Sequence, residues 1–379
     1  MKKKLILAAV LAVLSAAAGS CAPAYMKRDK FYTYSDPQKN DQQQIMMSSL
    51  NVEPQTQLFS GSLLYYDPVL DTAVCSQPLS ESGSRLSAEL VIYKDGSIIT
   101  LSQKSSQYIS AKIARNTSEI FYTEKNSVLK KTILSKISLE GTKKTQILQT
   151  DINSSIPYYV TDDGLLFYIN EKNEIIIAEN DGSTSVLLRL PSKNTVRKIA
   201  YSEQGNFIVF LASVAQEGGN SSSILYRLNL YGSKSLGEID INVSDFVISE
   251  KHSSTVYVKS TMSGTDHVYI YDHASALRKF LLSNNIERIS LSAEGKYILF
   301  IAKITEGLPT QSIWLANYET GAAVQLTVNT KILGQVFSSG SEDCIFFTET
   351  ENKGTSDTDP VLVTYKMGYS FTNSVGENP

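Results

Sequence analysis

The stretch Ile286 to Thr327, IERISLSAEGKYILFIAKITEGLPTQSIWLANYETGAAVQLT, decides the fold. It holds four short apolar runs separated by polar segments. Gly295 and Gly321 lie in two of these segments, where turns that need a positive φ favour glycine. The pattern predicts four consecutive antiparallel strands that form one sheet as a meander. One such sheet cannot cover both of its faces, so we expect neighbouring sheets to pack against it.

The same plan recurs along the chain. The segment from Val196 to Ile239 repeats it, and the segment from Ile156 to Leu190 is a shorter copy. An aromatic residue in the second strand marks the period, with steps of 46, 43, 47, 43 and 47 residues between Phe121, Phe167, Phe210, Tyr257, Phe300 and Phe347. A period in the forties with four strands per repeat is typical of a β-propeller. The alternative is a β-sandwich with accidental spacing, but sandwich strands need not recur in groups of four.

The repeat motif resembles that of the TolB-like propeller family, whose repeats are WD40-like (PD40). The matching residues are Ser292, Gly295, Phe300, Trp314, Gly321, Leu326 and Thr327. The family usually has Asp before the turn glycine, whereas this chain has Glu294, Gln204 and Asp163 there in three copies. The match is good in the repeats beginning at 156, 196 and 286, weaker at 109, 243 and 332, and faint before 105. The resemblance implies a propeller, and it is less specific for function because that fold hosts unrelated activities.

We therefore predict an all-β chain with seven blades of four antiparallel strands. The first strands are expected near Ser62, Ile109, Ile156, Val196, Val243, Ile286 and Ile332. The seventh blade is irregular, because a polar stretch from Lys353 to Pro360 interrupts it. Its fourth strand is expected either at Tyr369 to Asn373 or from the N-terminal part of the chain. Closure of the ring matters because an open propeller exposes a sheet edge.

The N-terminus has the pattern of an export signal. Three lysines, Lys2 to Lys4, precede the apolar run Leu5 to Leu14, and small residues follow. The segment Ala18-Gly19-Ser20-Cys21 resembles a bacterial lipobox, in which the cysteine is lipidated, although Leu is usual where Ala18 stands. Cleavage at an Ala-x-Ala site is the alternative. The sequence thus predicts a lipoprotein anchored to a membrane of the cell envelope through Cys21, on the periplasmic side of the outer membrane in a diderm.

Three regions follow from these patterns. Residues 1–20 are expected to be the signal peptide, residues 21–56 a lipid-anchored polar tether, and residues 57–379 the propeller. The tether is polar and has no sustained apolar period, although 45–50 forming a short element on the propeller is an alternative. Two cysteines remain in the body, Cys75 and Cys344, in the second strands of the first and last blades. An exported protein permits a disulfide between them, and two separate buried thiols are the alternative.

Motifs for chemistry are scarce. The formal net charge of −3 makes nucleic acid an unexpected partner. The three histidines, His252, His267 and His273, fall in one blade and are expected to be solvated. No H-E-x-x-H, G-x-S-x-G, P-loop or C-x-x-C motif is present in the sequence. We expect no catalytic residue, no cofactor and no metal, and we expect the Asp162-Asp163 pair to be a solvated turn and not a Ca²⁺ site.

The resulting hypothesis is a non-catalytic scaffold that binds other envelope proteins, whose identity the sequence does not give. The expected interface is the set of loops between second and third strands, at Thr123 to Lys131, Ser213 to Ser222, Thr261 to Thr265, Ile304 to Thr310 and Thr350 to Pro360. The alternatives are a glycan lyase or hydrolase and a small-ligand sensor, both using the central channel. The first strands offer mainly Arg115, Lys198, Asp245 and Arg288 there, a poor set for acid–base catalysis.

Overall fold

The computed structural model describes residues 33–34, 50–79, 88–215, 221–232, 234–261, 265–303, 310–328, 330–351 and 361–371. Within these ranges every regular element is a β-strand. The same part of the chain has no helix that is long and apolar enough to cross a membrane. The strands form seven antiparallel blades around an axis, numbered 1 to 7 in chain order, so the predicted all-β, seven-bladed propeller is confirmed.

In the described part of the N-terminal region, three short strands precede blade 1: β1 (Thr33–Tyr34), β2 (Leu50–Val52) and β3 (Thr56–Ser60). Blade 1 contains β4 (Ser62–Asp67), β5 (Thr72–Pro78), β6 (Ala88–Lys94) and the first part of β7 (Ser97–Ala114). Blade 2 contains the rest of β7, then β8 (Glu119–Asn126), β9 (Lys131–Ser138) and β10 (Lys144–Asp151). Blade 3 contains β11 (Tyr158–Val160), β12 (Leu166–Ile169), β13 (Glu174–Ala178) and β14 (Thr184–Arg189).

Blade 4 contains β15 (Asn194–Ser202), β16 (Phe207–Ala215), β17 (Ser221–Asn229) and β18 (Ser235–Ile241). Blade 5 contains β19 (Val243–Ser249), β20 (Ser254–Ser260), β21 (Asp266–Asp272) and β22 (Arg278–Asn284). Blade 6 contains β23 (Ile286–Leu291), β24 (Tyr297–Lys303), β25 (Gln311–Asn317) and β26 (Ala323–Gln325). Blade 7 contains β27 (Ile332–Ser338), β28 (Cys344–Glu351) and β29 (Val361–Phe371).

The innermost strand shifts its register in six blades, through a one-residue β-bulge in blades 1, 2, 4, 5 and 6 and through a two-residue irregularity in blade 7. The register shifts fall between Leu63/Tyr65, Tyr108/Ser110, Val196/Lys198, Val243/Asp245, Ile286/Arg288 and Leu333/Phe337. A bulge adds one residue to one strand, bends it and increases its right-handed twist. The repeated bulge therefore gives the inner strands a common bend around the axis.

The described residues form seven hydrophobic core clusters, one at each interface between neighbouring blades. One register position of the second strand points towards the preceding blade in every case: Cys75, Tyr122, Tyr168, Phe210, Tyr257, Phe300 and Phe347. Two residues used in the sequence to mark the period, Phe121 and Phe167, pack instead on the following blade. Successive side chains of a strand point to opposite faces, so these two markers are one residue out of register.

The N-terminal strands close the ring. The strand β3 pairs with β29, from Thr56↔Lys366 to Ser60↔Val363, and supplies the outer strand of blade 7. The strand β2 pairs with the end of β29, from Leu50↔Phe371 to Val52↔Tyr369. Of the two options for the fourth strand, the N-terminal one is therefore correct, because Tyr369 to Phe371 is the continuation of the third strand.

The structured part of the chain extends back into the stretch expected to be a tether. Leu50 is buried in the cluster between blades 6 and 7, and β1 pairs with β26 at the outer edge of blade 6. Two fully buried threonines of blade 7 form hydrogen bonds to the backbone at the start of blade 1. Thr348 Oγ1 accepts a hydrogen bond from the Leu63 backbone N–H (2.8 Å), and Thr364 Oγ1 donates to the Gly61 carbonyl oxygen (3.0 Å).

Candidate functional site

The alternation of strand direction gives the propeller two distinct faces. Turns that join first to second and third to fourth strands lie on one face, which we call the turn face. Loops that join second to third strands lie on the opposite face, the loop face. The expected interface is on the loop face, but 216–220, 262–264, 304–309 and 352–360 lie outside the described residues. Of the five expected loops, the one from Thr123 to Lys131 is described in full.

The four polar channel residues connect neighbouring blades. The contacts run from each blade to the next: Arg115 to Asp162, Lys198 Nζ to Asp245 Oδ1 (2.7 Å), Asp245 Oδ2 to the Ile289 backbone N–H (2.9 Å), and Arg288 Nη1 to the Gly334 carbonyl oxygen (2.6 Å). Both oxygens of Asp245 are thus occupied, since Oδ1 also accepts the Phe246 backbone N–H (2.9 Å). The carboxylate of Asp245 therefore serves to connect three blades.

A cleft opens on the turn face between blades 3 and 4. Its volume is 590 Å³, and it is lined by Thr161, Asp163, Leu165, Glu179, Asn180, Asp181, Tyr201 and Glu203. Three turns build it: the first–second turn of blade 3, the third–fourth turn of the same blade, and the first–second turn of blade 4. Among the described residues, the lining has four carboxylates and no lysine or arginine. We call this site the acidic cleft.

Hydrogen bonds hold the walls of the acidic cleft. Asn180 Nδ2 donates to the Asp163 carbonyl oxygen (2.5 Å), and Asn116 Nδ2 of blade 2 donates to Asp163 Oδ1 (2.5 Å). Gly164, with φ +84°, allows the close approach, because a Cβ there would collide with Asn180. Asp181 Oδ1 accepts the Ser183 backbone N–H (2.8 Å). The cleft is therefore held in shape by the turns themselves.

The electrostatics of the acidic cleft favour a positively charged ligand. Partial burial raises the pKa of Glu203 above its usual value, and the charges of Asp162, Glu250 and Asp163 raise it further. The hydrogen bond from the Ser183 backbone lowers the pKa of Asp181, which stays ionised. A cation in the cleft would relieve the repulsion that the carboxylates exert on one another. Half-buried Tyr201 adds an aromatic wall on which a cation can also rest.

Only part of this site was predictable from the sequence. Asp162 and Asp163 were expected to form a solvated turn, but Asp162 forms an ion pair with Arg115 and Asp163 lines the cleft. Glu179, Asp181 and Glu203 were not predicted as site residues. The signal that could have found them is the acidic residue in three successive turns of blades 3 and 4. These residues converge only because blades 3 and 4 pack together, and the sequence does not show that packing.

The prediction that the three histidines are solvated is wrong. Each is half-buried against an aromatic ring: His252 stacks on Tyr318 (4.1 Å), His273 packs on Phe207 (4.1 Å) and His267 meets the Phe280 ring edge-on (5.5 Å). Burial and the nearby Arg227 lower the pKa of His273 to about 4. Among the described residues, no three His, Cys, Asp or Glu side chains are grouped so that they could hold a metal ion.

The two body cysteines lie in one cluster at the interface between blades 7 and 1. Cys75 and Cys344 are both buried and both are free thiols. Burial raises the pKa of each thiol, so neither is a reactive thiolate at neutral pH. The third cysteine, Cys21, lies outside the described residues, and its lipidation stays a prediction.

Comparisons with known proteins identify the fold. No protein-family model and no curated protein sequence matches the chain. Among solved structures, an oligogalacturonate lyase in complex with manganese is similar with a TM-score of 0.61 and 12% identity, over 91% of this chain and 97% of that one. An oligogalacturonate lyase from Vibrio parahaemolyticus is similar with a TM-score of 0.61 and 12% identity, over 89% and 96%.

The chain has the seven-bladed propeller fold. TolB from Acinetobacter baumannii is also among the similar structures, with a TM-score of 0.48 and 13% identity. That match covers 67% of this chain and 63% of the TolB chain, less than two thirds of its length. At these identities the comparisons establish architecture and carry no activity over to this chain.

Proposed function

We propose that this chain is a non-catalytic, lipid-anchored binding protein of the cell envelope, and that its acidic cleft receives a basic segment of a partner protein. The observation that carries the proposal is the lining of the cleft, four carboxylates with no lysine or arginine among them. The walls are set by turn hydrogen bonds, so a ligand meets a preorganised surface and loses little ordering entropy on binding.

The contacts in the channel support binding over catalysis. The polar residues of the inner strands, exemplified by Lys198 and Asp245, are bonded to neighbouring blades. Acid–base catalysis requires groups free to exchange protons with a substrate. The described residues also do not fit the manganese of the lyase structure, because they group no three of the usual donors.

The structural similarity to two lyases suggests an alternative function, that of a glycan lyase or hydrolase that acts in the channel. The likeness to the two lyases covers nearly the whole of each chain, but at 12% identity. One assay distinguishes the two proposed functions. Catalytic turnover of oligogalacturonate, or of an envelope glycan, by the purified protein would support the enzyme and overturn the binding proposal.

The anchor is proposed from the lipobox-like segment that ends at Cys21. Several acyl chains on one residue hold a protein firmly to a bilayer, and one chain alone does not. Cys21→Ser should move the protein from the membrane fraction to the soluble fraction. An intact mass that shows an unmodified N-terminus in the wild type would contradict the anchor and leave the cleft untouched.

The partner site is tested by a photoreactive amino acid placed at Glu179 in cells. The matched control is the same substitution at Glu140, an exposed carboxylate in the third–fourth turn of blade 2. We expect a crosslinked product of one discrete mass from position 179 and none from position 140. Products from both positions in equal yield, or from neither, would contradict the assignment of the partner site to the cleft.

A further inference from the structure

The hairpin between β8 and β9 presents two aliphatic side chains to solvent on the loop face. Val128 is 78% exposed and Leu129 is 58% exposed, and both lie in the tip, residues 127–130. Val128 is the most exposed large hydrophobic side chain among the described residues. Single exposed apolar residues are common, but an adjacent pair at the apex of a hairpin is a local apolar patch.

The hairpin tip is held in this outward conformation. The strands β8 and β9 are paired without a register shift from Glu119↔Ser138 to Asn126↔Lys131. Asn126 Oδ1 accepts the Leu129 backbone N–H (2.9 Å), which is an Asx-type turn contact. Lys130 completes the turn with φ +51°. The turn therefore keeps the two aliphatic side chains directed away from the blade.

Lysines flank the aliphatic pair on both sides along the chain, and Asp151 of β10 lies opposite one of them, Lys131. The flanking lysines are Lys125, Lys130 and Lys131, and the segment from 125 to 131 has no acidic residue. None of these three lysines forms an ion pair with a carboxylate in the described part of the chain. The nearest acidic residue along the chain, Glu124, is buried and is paired with Lys144 (3.2 Å). The hairpin tip thus combines exposed aliphatic side chains with adjacent lysines, on a chain whose net charge is −3.

We propose that the hairpin tip inserts Val128 and Leu129 into the surface of a membrane that contains anionic lipids. Aliphatic side chains enter the boundary between headgroups and acyl chains, while lysines beside them remain at the anionic headgroups. A protein partner fits this surface less well, because a stable protein interface buries roughly 1,200 Å² or more and its core is depleted in lysine. The occupant is therefore a lipid surface.

The arrangement has a consequence for orientation. Insertion of the tip places the loop face towards the bilayer, and the acidic cleft, on the turn face, then points away from the anionic lipids that would repel it. The inference rests on the hairpin alone. It holds whether or not Cys21 carries lipid and whether or not the cleft binds a partner.

A tryptophan reporter tests the insertion in the full mature chain. Trp314, the single tryptophan, is replaced by Phe, and Val128→Trp or Val69→Trp is added. Val69 is a matched control, because it is 69% exposed and lies in a turn on the opposite face. The probe is a vesicle of brominated phosphatidylcholine with one quarter phosphatidylglycerol.

We expect the emission of the residue at 128 to be quenched at least twofold, and that of the residue at 69 to change by less than a tenth. Omission of phosphatidylglycerol, or replacement of the three lysines by serine, should abolish most of the quenching. Equal quenching at both positions, or none at 128, overturns the proposal.

Amide hydrogen exchange of the wild-type chain gives an independent readout that needs no substitution. Exchange at residues 127–130 should slow at least fivefold on addition of the anionic vesicles, while exchange at 68–71 should not change. Unchanged exchange at the hairpin tip would overturn the proposal even if a tryptophan variant failed to fold.

Discussion

Lys198 Nζ lies 2.7 Å from Asp245 Oδ1, although the two residues are 47 positions apart and belong to neighbouring blades. The other oxygen of Asp245 accepts the backbone N–H of Ile289 in the next blade, at 2.9 Å. One carboxylate therefore joins blades 4, 5 and 6. The separation of 47 is one period of the repeat, so the contact follows from placing equivalent inner strands side by side around the axis.

Removal of this carboxylate should destabilise the ring. Asp245→Ala leaves the Ile289 N–H and the Lys198 ammonium without their partner in a largely buried place. We expect a loss of about 2–4 kcal/mol in the free energy of unfolding, measured by urea denaturation at pH 7. Glu140→Ala, at an exposed turn, is the control and should change stability by no more than about 0.5 kcal/mol. Equal stability of the two variants would show that the contact does not fasten the blades.

Ring closure gives a second prediction, at Gly61. This residue has φ +145°, and a Cβ there would lie 2.5 Å from the Ser76 carbonyl oxygen. Gly96 is the control, because it also has a positive φ (+75°) but has nothing within 4 Å of a Cβ. Gly61→Ala should lower the free energy of unfolding by about 2–4 kcal/mol, and Gly96→Ala by about 1 kcal/mol. A similar thermal midpoint for the two variants would mean that the backbone around Gly61 can shift to accept a Cβ without loss of stability.

The pH dependence of stability should report on His273. Burial lowers its pKa to about 4 in the folded chain, against an ordinary value of 6.5 for histidine. Below pH 6.5 the unfolded chain binds a proton that the folded chain does not, so stability is present above that pH and is lost as the pH falls towards 4. With allowance for partial solvent access, the loss is about 1–2 kcal/mol.

The matched variant for this prediction is His273→Phe, which keeps a ring against Phe207 and does not titrate. Between pH 7 and pH 4.5 its free energy of unfolding should fall less steeply than that of the wild type. Parallel pH profiles would show that His273 is not the titrating group.

Much of the fold was predictable from the sequence, because each blade encodes its own strands and turns. The sequence of blade 6 predicts strands at 286–292, 297–304, 311–318 and 323–327, and each agrees with the observed strand to within two residues at either end. The turns at Gly295 (φ +69°) and Gly321 (φ +73°) have the predicted positive φ. These features are local, and local patterns are what a sequence displays most directly.

The features that were missed depend on contacts between blades. The adjacent aromatic residues Phe121 and Tyr122 point to opposite faces, and only the packed neighbours show which one occupies the repeated position. The packing of His252 on Tyr318 joins blades 5 and 6 in the same way. The acidic cleft escaped prediction because its carboxylates come from three separate turns of blades 3 and 4.

The raised pKa of Glu203 predicts how binding in the cleft varies with pH. Its carboxyl group takes up a proton at a higher pH than an ordinary glutamate, and a cationic ligand prefers the ionised form. The affinity for a basic peptide should therefore fall as the pH is lowered from 7 to 5. Glu203→Gln should weaken binding at pH 7 severalfold and flatten this profile, without lowering the thermal midpoint. If the affinity of Glu203→Gln fell with pH as steeply as that of the wild type, Glu203 would not be part of the binding site.

The most direct test of the binding account is a calorimetric titration of a ten-residue lysine peptide into the purified protein. The variant Glu179→Gln, Asp181→Asn, Glu203→Gln removes three of the four carboxylates of the acidic cleft. The control Asp95→Asn, Glu140→Gln, Glu319→Gln removes the same charge from other exposed turns of the same face. We predict at least tenfold weaker binding for the cleft variant and less than twofold for the control. Equal weakening in the two variants, or wild-type affinity in the cleft variant, would contradict the assignment of binding to the cleft.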